Sequence, residues 1–170
     1  MIIQIDTREK PRAIQRILAD FRENNVKFFK SKLYVGDYMN PKKPDIVVDR
    51  KQNLSELCMN VASTQAEHLR FRDEIMRAND IGIKVVVLVE HGHGYQSLND
   101  VKFWENPRLR EHPKATTGPK LYKILKTMCD KYDMDVTFCD KAETGKRIRE
   151  ILADVTCDTK ENGDDKGRDT

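Results

Sequence analysis

The apolar run Ile46-Val47-Val48 ends in Asp49-Arg50-Lys51, and Gly36-Asp37 stands upstream of it. Side chains alternate between the faces of a strand, so Asp49 and Lys51 project to one side and Arg50 to the other. A carboxylate and an ammonium then share one small volume. That pairing suits phosphodiester hydrolysis: the carboxylate holds a divalent cation against the phosphate, and the lysine orients water or neutralises developing charge. Taken alone, the same triplet is equally an exposed strand end whose Asp49 and Lys51 form only an ion pair.

Four acids, Asp6, Asp37, Asp49 and Glu90, fall at the ends of expected strands, where α/β folds place their sites. Gly36 permits a close backbone bend before Asp37, and the short connection that follows can return the chain so that Asp37 and Asp49 converge on one cation. Hard oxygen ligands, without suitably placed histidines or thiols, favour Mg²⁺ or Mn²⁺ over zinc or copper. The carbonyl oxygen of Arg50 is a further candidate ligand. His91-Gly92-His93-Gly94 lacks a third ligand and reads as loop.

The elements that must position these residues follow from periodicity. Residues 2–6 read as a buried strand, and Pro11 opens a helix with a stripe of Ile14, Ile17, Leu18 and Phe21. Strand-like runs at 26–29, 33–39 and 46–51 suggest a meander. Helices follow from Asn53, which with Glu56 fits a capping box, and over 64–79. The β-branched run at 83–89 is a central strand covered on both faces. Residues 91–117 form a long loop with short helical pieces, after which helix, strand and helix are expected from Gly118, at 134–139 and at 143–153. The alternation predicts an α/β, three-layer sandwich: a central mixed β-sheet flanked by helices.

One domain, residues 1–155, accounts for the core. From Cys157 onward there is no large apolar side chain and eight of fourteen residues are charged, so residues 156–170 are expected to be a disordered charged tail. Charged residues make up 35% of the chain but the net charge is only +3, so any nucleic-acid surface must arise from local clustering. Cys58, Cys129, Cys139 and Cys157 have no zinc-site spacing and read as reduced, mostly buried thiols. The first apolar stretch is too short for a signal peptide, and no run approaches transmembrane length. An intracellular protein without membrane contact is expected, cytoplasmic in a bacterial or phage setting.

At this point the chain resembles the XPF-type structure-specific endonucleases, a branch of the restriction-endonuclease-like PD-(D/E)XK superfamily. Asp6-Thr7-Arg8-Glu9 is similar to that family's Asp-x-Arg-Glu element, Gly36-Asp37-Tyr38 to its Gly-Asp-Tyr, and Val48-Asp49-Arg50-Lys51 to its Val-Glu-Arg-Lys, all in the family's order. The resemblance implies that Asp37 and Asp49 ligate the metal, that Lys51 positions or activates water, and that Asp6 and Glu9 border the site. Arg50 belongs to the signature triplet and would brace the site through a carboxylate. Arg8 and Arg70 would approach phosphate or hold the acidic cluster together. Two departures stand out: Asp49 replaces the usual glutamate, and Ser55 stands where the family's pattern ends in aspartate, with Glu56 one residue later. The family's helix-hairpin-helix module has no room here, and its habit of pairing through nuclease domains implies a homodimer.

Basic residues cluster at Lys102, Arg108, Arg110, Lys114, Lys120, Lys123 and Lys126. They make the best candidate DNA track, with Lys42 and Lys43 as further backbone contacts, and such binding should weaken with salt. Together these features predict a Mg²⁺- or Mn²⁺-dependent DNA endonuclease acting on branched or flapped DNA in recombination, repair or replication. The alternative is a non-catalytic DNA-binding or scaffolding relative whose site has decayed, with Ser55 as the sign. A nuclease without structure preference is a third reading.

Overall fold

The computed structural model describes residues 1–153, so the expected tail and Cys157 lie outside the described residues. Six strands, β1 (Ile2–Ile5), β2 (Lys27–Lys30), β3 (Tyr38–Asn40), β4 (Lys43–Lys51), β5 (Lys84–Val89) and β6 (Met134–Phe138), form one mixed sheet in the order β2-β1-β3-β4-β5-β6. β3 is antiparallel to both of its neighbours, whereas β1 with β2, β4 with β5 and β5 with β6 pair in parallel. Five strands therefore point one way and β3 opposes them.

Helices α1 (Gln15–Glu23) and α5 (Thr144–Leu152) cover one face of the sheet. Helices α2 (Leu54–Ala62), α3 (Gln65–Asp80) and α4 (Gly118–Lys131) cover the other. Each face has its own core. Ile17, Phe21, Ile148 and Leu152 pack with Ile3, Ile5, Val48 and Leu88 on the first face, and Leu57, Ile75, Leu121 and Leu125 pack with Val47, Val85 and Val87 on the second. The consecutive valines of β5 are apolar in both directions because the strand sits between two helical layers. This is the expected three-layer α/β sandwich.

Three local readings differ from expectation. The chain from Pro11 to Ile14 remains in turns and α1 starts only at Gln15, because Asp6 ties the preceding residues down through Arg8 N–H on its carboxylate and Glu9 N–H on its carbonyl. Most of 33–39 is not strand: Leu33 N–H is spent on the Asp6 carboxylate at 2.7 Å, and Gly36 turns the chain with φ +68°. Nor is there a three-strand meander. The crossover through α1 lays β2 parallel to β1, so only β3 and β4 form a hairpin.

Gly36 holds that hairpin close. A Cβ at this position would lie 2.6 Å from a Val47 methyl group, on backbone that L-residues rarely adopt. Gly36→Ala should lower stability by about 1–3 kcal/mol in chemical denaturation; an unchanged midpoint would show that the turn relaxes freely.

Candidate active site

Opposing β3 to its neighbours brings its first residues beside the last residues of β1, β4 and β5. The edge is laced by backbone bonds, Asp6 N–H to Asp37 O, Asp37 N–H to Val48 O and Glu90 N–H to Lys51 O, each 2.8 Å. Asp37, Asp49 and Lys51 thereby meet in a cleft of about 270 Å³ that Glu9, Arg50 and Glu56 also line. The period-two reading of β4 holds: Asp49 and Lys51 share the face of Val47, and Arg50 shares that of Val48.

Lys51 Nζ donates to Asp49 Oδ1 at 2.9 Å and lies 5.6 Å from the centre of the Phe71 ring. Burial works to lower the lysine pKa, but the Asp49 carboxylate and, more weakly, Asp37 and Glu56 leave it above its ordinary value. Lys51 is therefore a cation here. Asp37 accepts the Arg50 N–H at 2.8 Å. Its pKa is pushed well above the usual carboxylate range, first by burial and then by the charges of Asp49 and Glu9.

Arg50 points away from this pair and is itself buried. Its Nε and Nη2 donate to the two Glu9 oxygens at 3.3 and 2.9 Å, and its Nη1 donates to Glu90 at 3.3 Å. Glu90 in turn accepts from Thr144 Oγ1 at 2.9 Å, which fastens α5 to the sheet edge. Thr144 carries no sequence signal for this contact, since its partner lies 54 residues away. Asp6 sits beneath the cleft, fully buried, and its carboxylate accepts Arg8 N–H, Arg8 Nε–H and Leu33 N–H at 2.8, 2.6 and 2.7 Å. Arg8 lies at the rim.

The remaining expected residues are spread more widely. Arg70 is exposed on α3, paired with Glu67, and does not line the cleft. The hairpin turn carries Lys42 and Lys43 to the opposite end of the strands, up to ~26 Å along β4 from Lys51. Lys114 lines a second cavity beside α2, and Lys120 lies exposed in the first turn of α4. Lys102 lies over the Tyr122 ring and Lys126 pairs with Asp130, so parts of the basic cluster are already engaged. Glu56 faces the acidic cleft, while Ser55 faces the second cavity. The Asn53 side chain accepts Glu56 N–H, but the Glu56 carboxylate takes Gln52 N–H rather than completing a reciprocal box. His91 Nδ1 accepts Leu54 N–H at 3.3 Å, which makes it part of the same helix start. Cys58, Cys129 and Cys139 are free thiols, and burial pushes the latter two up to about 11.

No histidine or cysteine lines the acidic cleft, and among the described residues no three His, Cys, Asp or Glu side chains form a ready metal cage. Two carboxylates with room for water and phosphate are nevertheless what Mg²⁺ asks of a protein. The repulsion that raises the Asp37 pKa is what a bound cation would relieve. Among the described residues no helix is long and apolar enough to cross a membrane.

A mixed sheet between two helical layers, with strand ends converging on an acidic cleft, has the architecture of the restriction-endonuclease-like nucleases. Residues 5–151 match the ERCC4 domain. The chain belongs to that family, a family of DNA endonucleases that generally depend on divalent metal. Among solved structures, XPF from Aeropyrum pernix superposes with a TM-score of 0.60 at 17% identity, over 89% of this chain and 63% of that one. XPF from Aeropyrum pernix in complex with DNA gives 0.58 at 18% identity, over 89% and 62%. The chain thus spans just under two thirds of the structures it matches, and at these identities the likeness establishes the fold. Curated proteins give no match.

Two outcomes follow from the electrostatics. Ionised Asp37 opposes folding: with its native pKa raised, stability falls as pH rises from the ordinary carboxylate range toward that raised value. Asp37→Asn should therefore raise the melting temperature near neutral pH by ~2–4 °C without divalent cation, and Mg²⁺ should stabilise the wild type more than the variant; a lower melting temperature would refute the repulsion. Asp6 is the opposite case. Burial pulls its pKa up, but the hydrogen bonds and charge of Arg8 and the Leu33 amide pull it further down. Its contribution is full above the ordinary carboxylate range and is lost as pH falls through the depressed native value. Asp6→Ala should cost about 1–3 kcal/mol at neutral pH, and the gap from wild type should close in acid denaturation at low pH.

Proposed function

We propose that this chain is a divalent-metal-dependent endonuclease that hydrolyses phosphodiester bonds in branched or flapped DNA. The reading rests on the convergence of Asp37, Asp49 and Lys51 in one cleft, in a chain of the ERCC4 domain family. Asp37 and Asp49 would hold Mg²⁺ or Mn²⁺, which supplies positive charge to a phosphate oxygen and lowers the pKa of bound water. Lys51, held cationic by Asp49, orients the attacking water and offsets charge on the phosphate. Glu9 and Glu90 act at one remove by fixing the Arg50 side chain, and hence the strand end that presents Asp49 and Lys51. Glu56 reaches the cleft in place of the acid that Ser55 lacks.

Arg8 at the cleft rim, with Lys114 and Lys120 beyond α2, would supply DNA backbone contacts. XPF from Aeropyrum pernix in complex with DNA supports DNA as the polymer; Arg70, Lys42 and Lys43 would add contacts only to DNA extending well beyond the cleft. Cleavage in recombination, repair or replication and a homodimer formed through this domain belong to the same proposal, as do an intracellular setting and a single domain over 1–155. A non-catalytic DNA-binding relative is favoured by one observation, the Lys51–Asp49 ion pair at 2.9 Å, which already engages both side chains with each other.

Incubation with flap, junction and linear duplex DNA in Mg²⁺ or Mn²⁺ separates these readings. Asp49→Ala and Lys51→Ala should each lower cleavage by about 100-fold or more while DNA binding in EDTA persists. Cleavage undiminished in those variants would sink the assigned roles. Binding without cleavage by the wild type would establish the non-catalytic relative, and equal cutting of all three substrates would remove the structure preference.

A further inference from the structure

Next to the acidic cleft along α2 lies a second cavity, of about 250 Å³. Cys58, Met59, Ala62 and Ala115 give it an apolar lining. Arg108, Lys114 and His112 bring basic side chains to it beside neutral polar groups such as Ser55 and Thr116, and no carboxylate lines it. Burial raises the Cys58 thiol above its ordinary range, and the Thr116 hydroxyl and then the charges of Arg108 and Lys120 offset only part of that rise. The volume is below that of a drug-sized ligand pocket, so it suits one flat heteroaromatic group rather than a helix or a peptide.

The walls are built rather than incidental. Asn106 is buried, donates through Nδ2 to Thr116 O at 2.9 Å and accepts Arg108 N–H at 3.0 Å, tying both ends of the 106–116 loop together. Arg108 Nη1 donates to Met59 Sδ at 3.0 Å, a weak acceptor that a base edge or phosphate oxygen readily replaces. Unstacked bases rest on guanidinium and imidazole planes, and a polarisable thioether makes favourable contacts with an aromatic ring. The position also fits. Ser55 lines this cavity and Glu56 lines the acidic cleft, so two consecutive residues in the first turn of α2 divide the two sites.

We propose that this cavity receives a single unpaired nucleotide of the DNA strand that enters the acidic cleft, its base against Met59 and Ala62 and its phosphate toward Arg108 and Lys114. The proposal rests on the DNA-cleaving reading above. A base inside a duplex is stacked and cannot enter without leaving the helix, so the cavity selects DNA with an unpaired arm and sets where the strand is cut.

Binding in EDTA tests this without cleavage. Fluorescence titrations of the full chain would use a flap duplex carrying 2-aminopurine at successive unpaired positions beside the junction, with a blunt duplex for comparison. Wild type should alter the emission at one unpaired position and should prefer flap over duplex by about tenfold or more. Met59→Glu, which places a carboxylate in the cavity from a side chain that is already exposed, and Arg108→Ala should each abolish both the emission change and the preference. The proposal is overturned if no position responds, if either variant keeps the preference, or if wild type binds flap and duplex equally. Failure of wild type to cleave DNA in Mg²⁺ or Mn²⁺ would instead strike the nuclease reading, and the binding result would stand apart from it.

Discussion

The buried guanidinium of Arg50 is the constraint on which the rest of the structure depends. It binds Glu9 with two nitrogens and Glu90 with the third. The turn after β1, the end of β4 and the end of β5 are thereby fixed to one point, and Thr144 extends that point to α5. Breaking a buried pair of this kind leaves an uncompensated charge and typically costs about 3–5 kcal/mol, although such pairs add little stability over a well-packed apolar substitute. Their value lies in geometry. With the Arg50 guanidinium tied to Glu9 and Glu90, the end of β4 is anchored on one face, and Asp49 and Lys51 are presented on the other.

The antiparallel strand β3 does the remaining positioning. In an all-parallel sheet the acids at strand ends would each follow a strand leading into a helix. Inserting one reversed strand between β1 and β4 places the start of β3, with Asp37, among the ends of the others. That insertion requires a tight approach at Gly36, where any side chain would meet Val47. A backbone requirement at one glycine thus decides whether two carboxylates twelve residues apart share a cleft.

How far this was legible in the sequence depends on the range of the interaction. Period-two alternation places Asp49 with Lys51 and opposes Arg50, because only the strand itself is involved. The valines of β5 announce a strand covered on both faces for the same local reason. Residues 33–37 look like a strand yet are not one, since Leu33 gives its N–H to Asp6, 27 residues earlier. Lys42 and Lys43 read as further contacts to the DNA backbone, and the hairpin between β3 and β4 places them at the end of β4 away from the cleft. Ser55 and Glu56 differ by one helical step, which sends one into each cavity. No spacing rule discloses that until the orientation of α2 is known.

The carboxylates at this edge divide by what they receive. Asp6 takes three N–H groups, Glu9 takes the Arg50 fork, and Glu90 takes Arg50 and Thr144. Each is satisfied by the protein itself, and each stabilises the framework. Asp37 and Asp49 are supplied less well: Asp37 has the Arg50 amide, and Asp49 has Lys51. Burial and mutual repulsion then make Asp37 reluctant to ionise. A carboxyl kept in that condition opposes folding, and it stays in place only because the satisfied acids around it over-determine the fold. The same deficit gives a cation more to gain here than at Asp6, Glu9 or Glu90. Five acids at one sheet edge are thus separated into framework and proposed site by hydrogen-bond supply, where residue type alone would leave them equivalent.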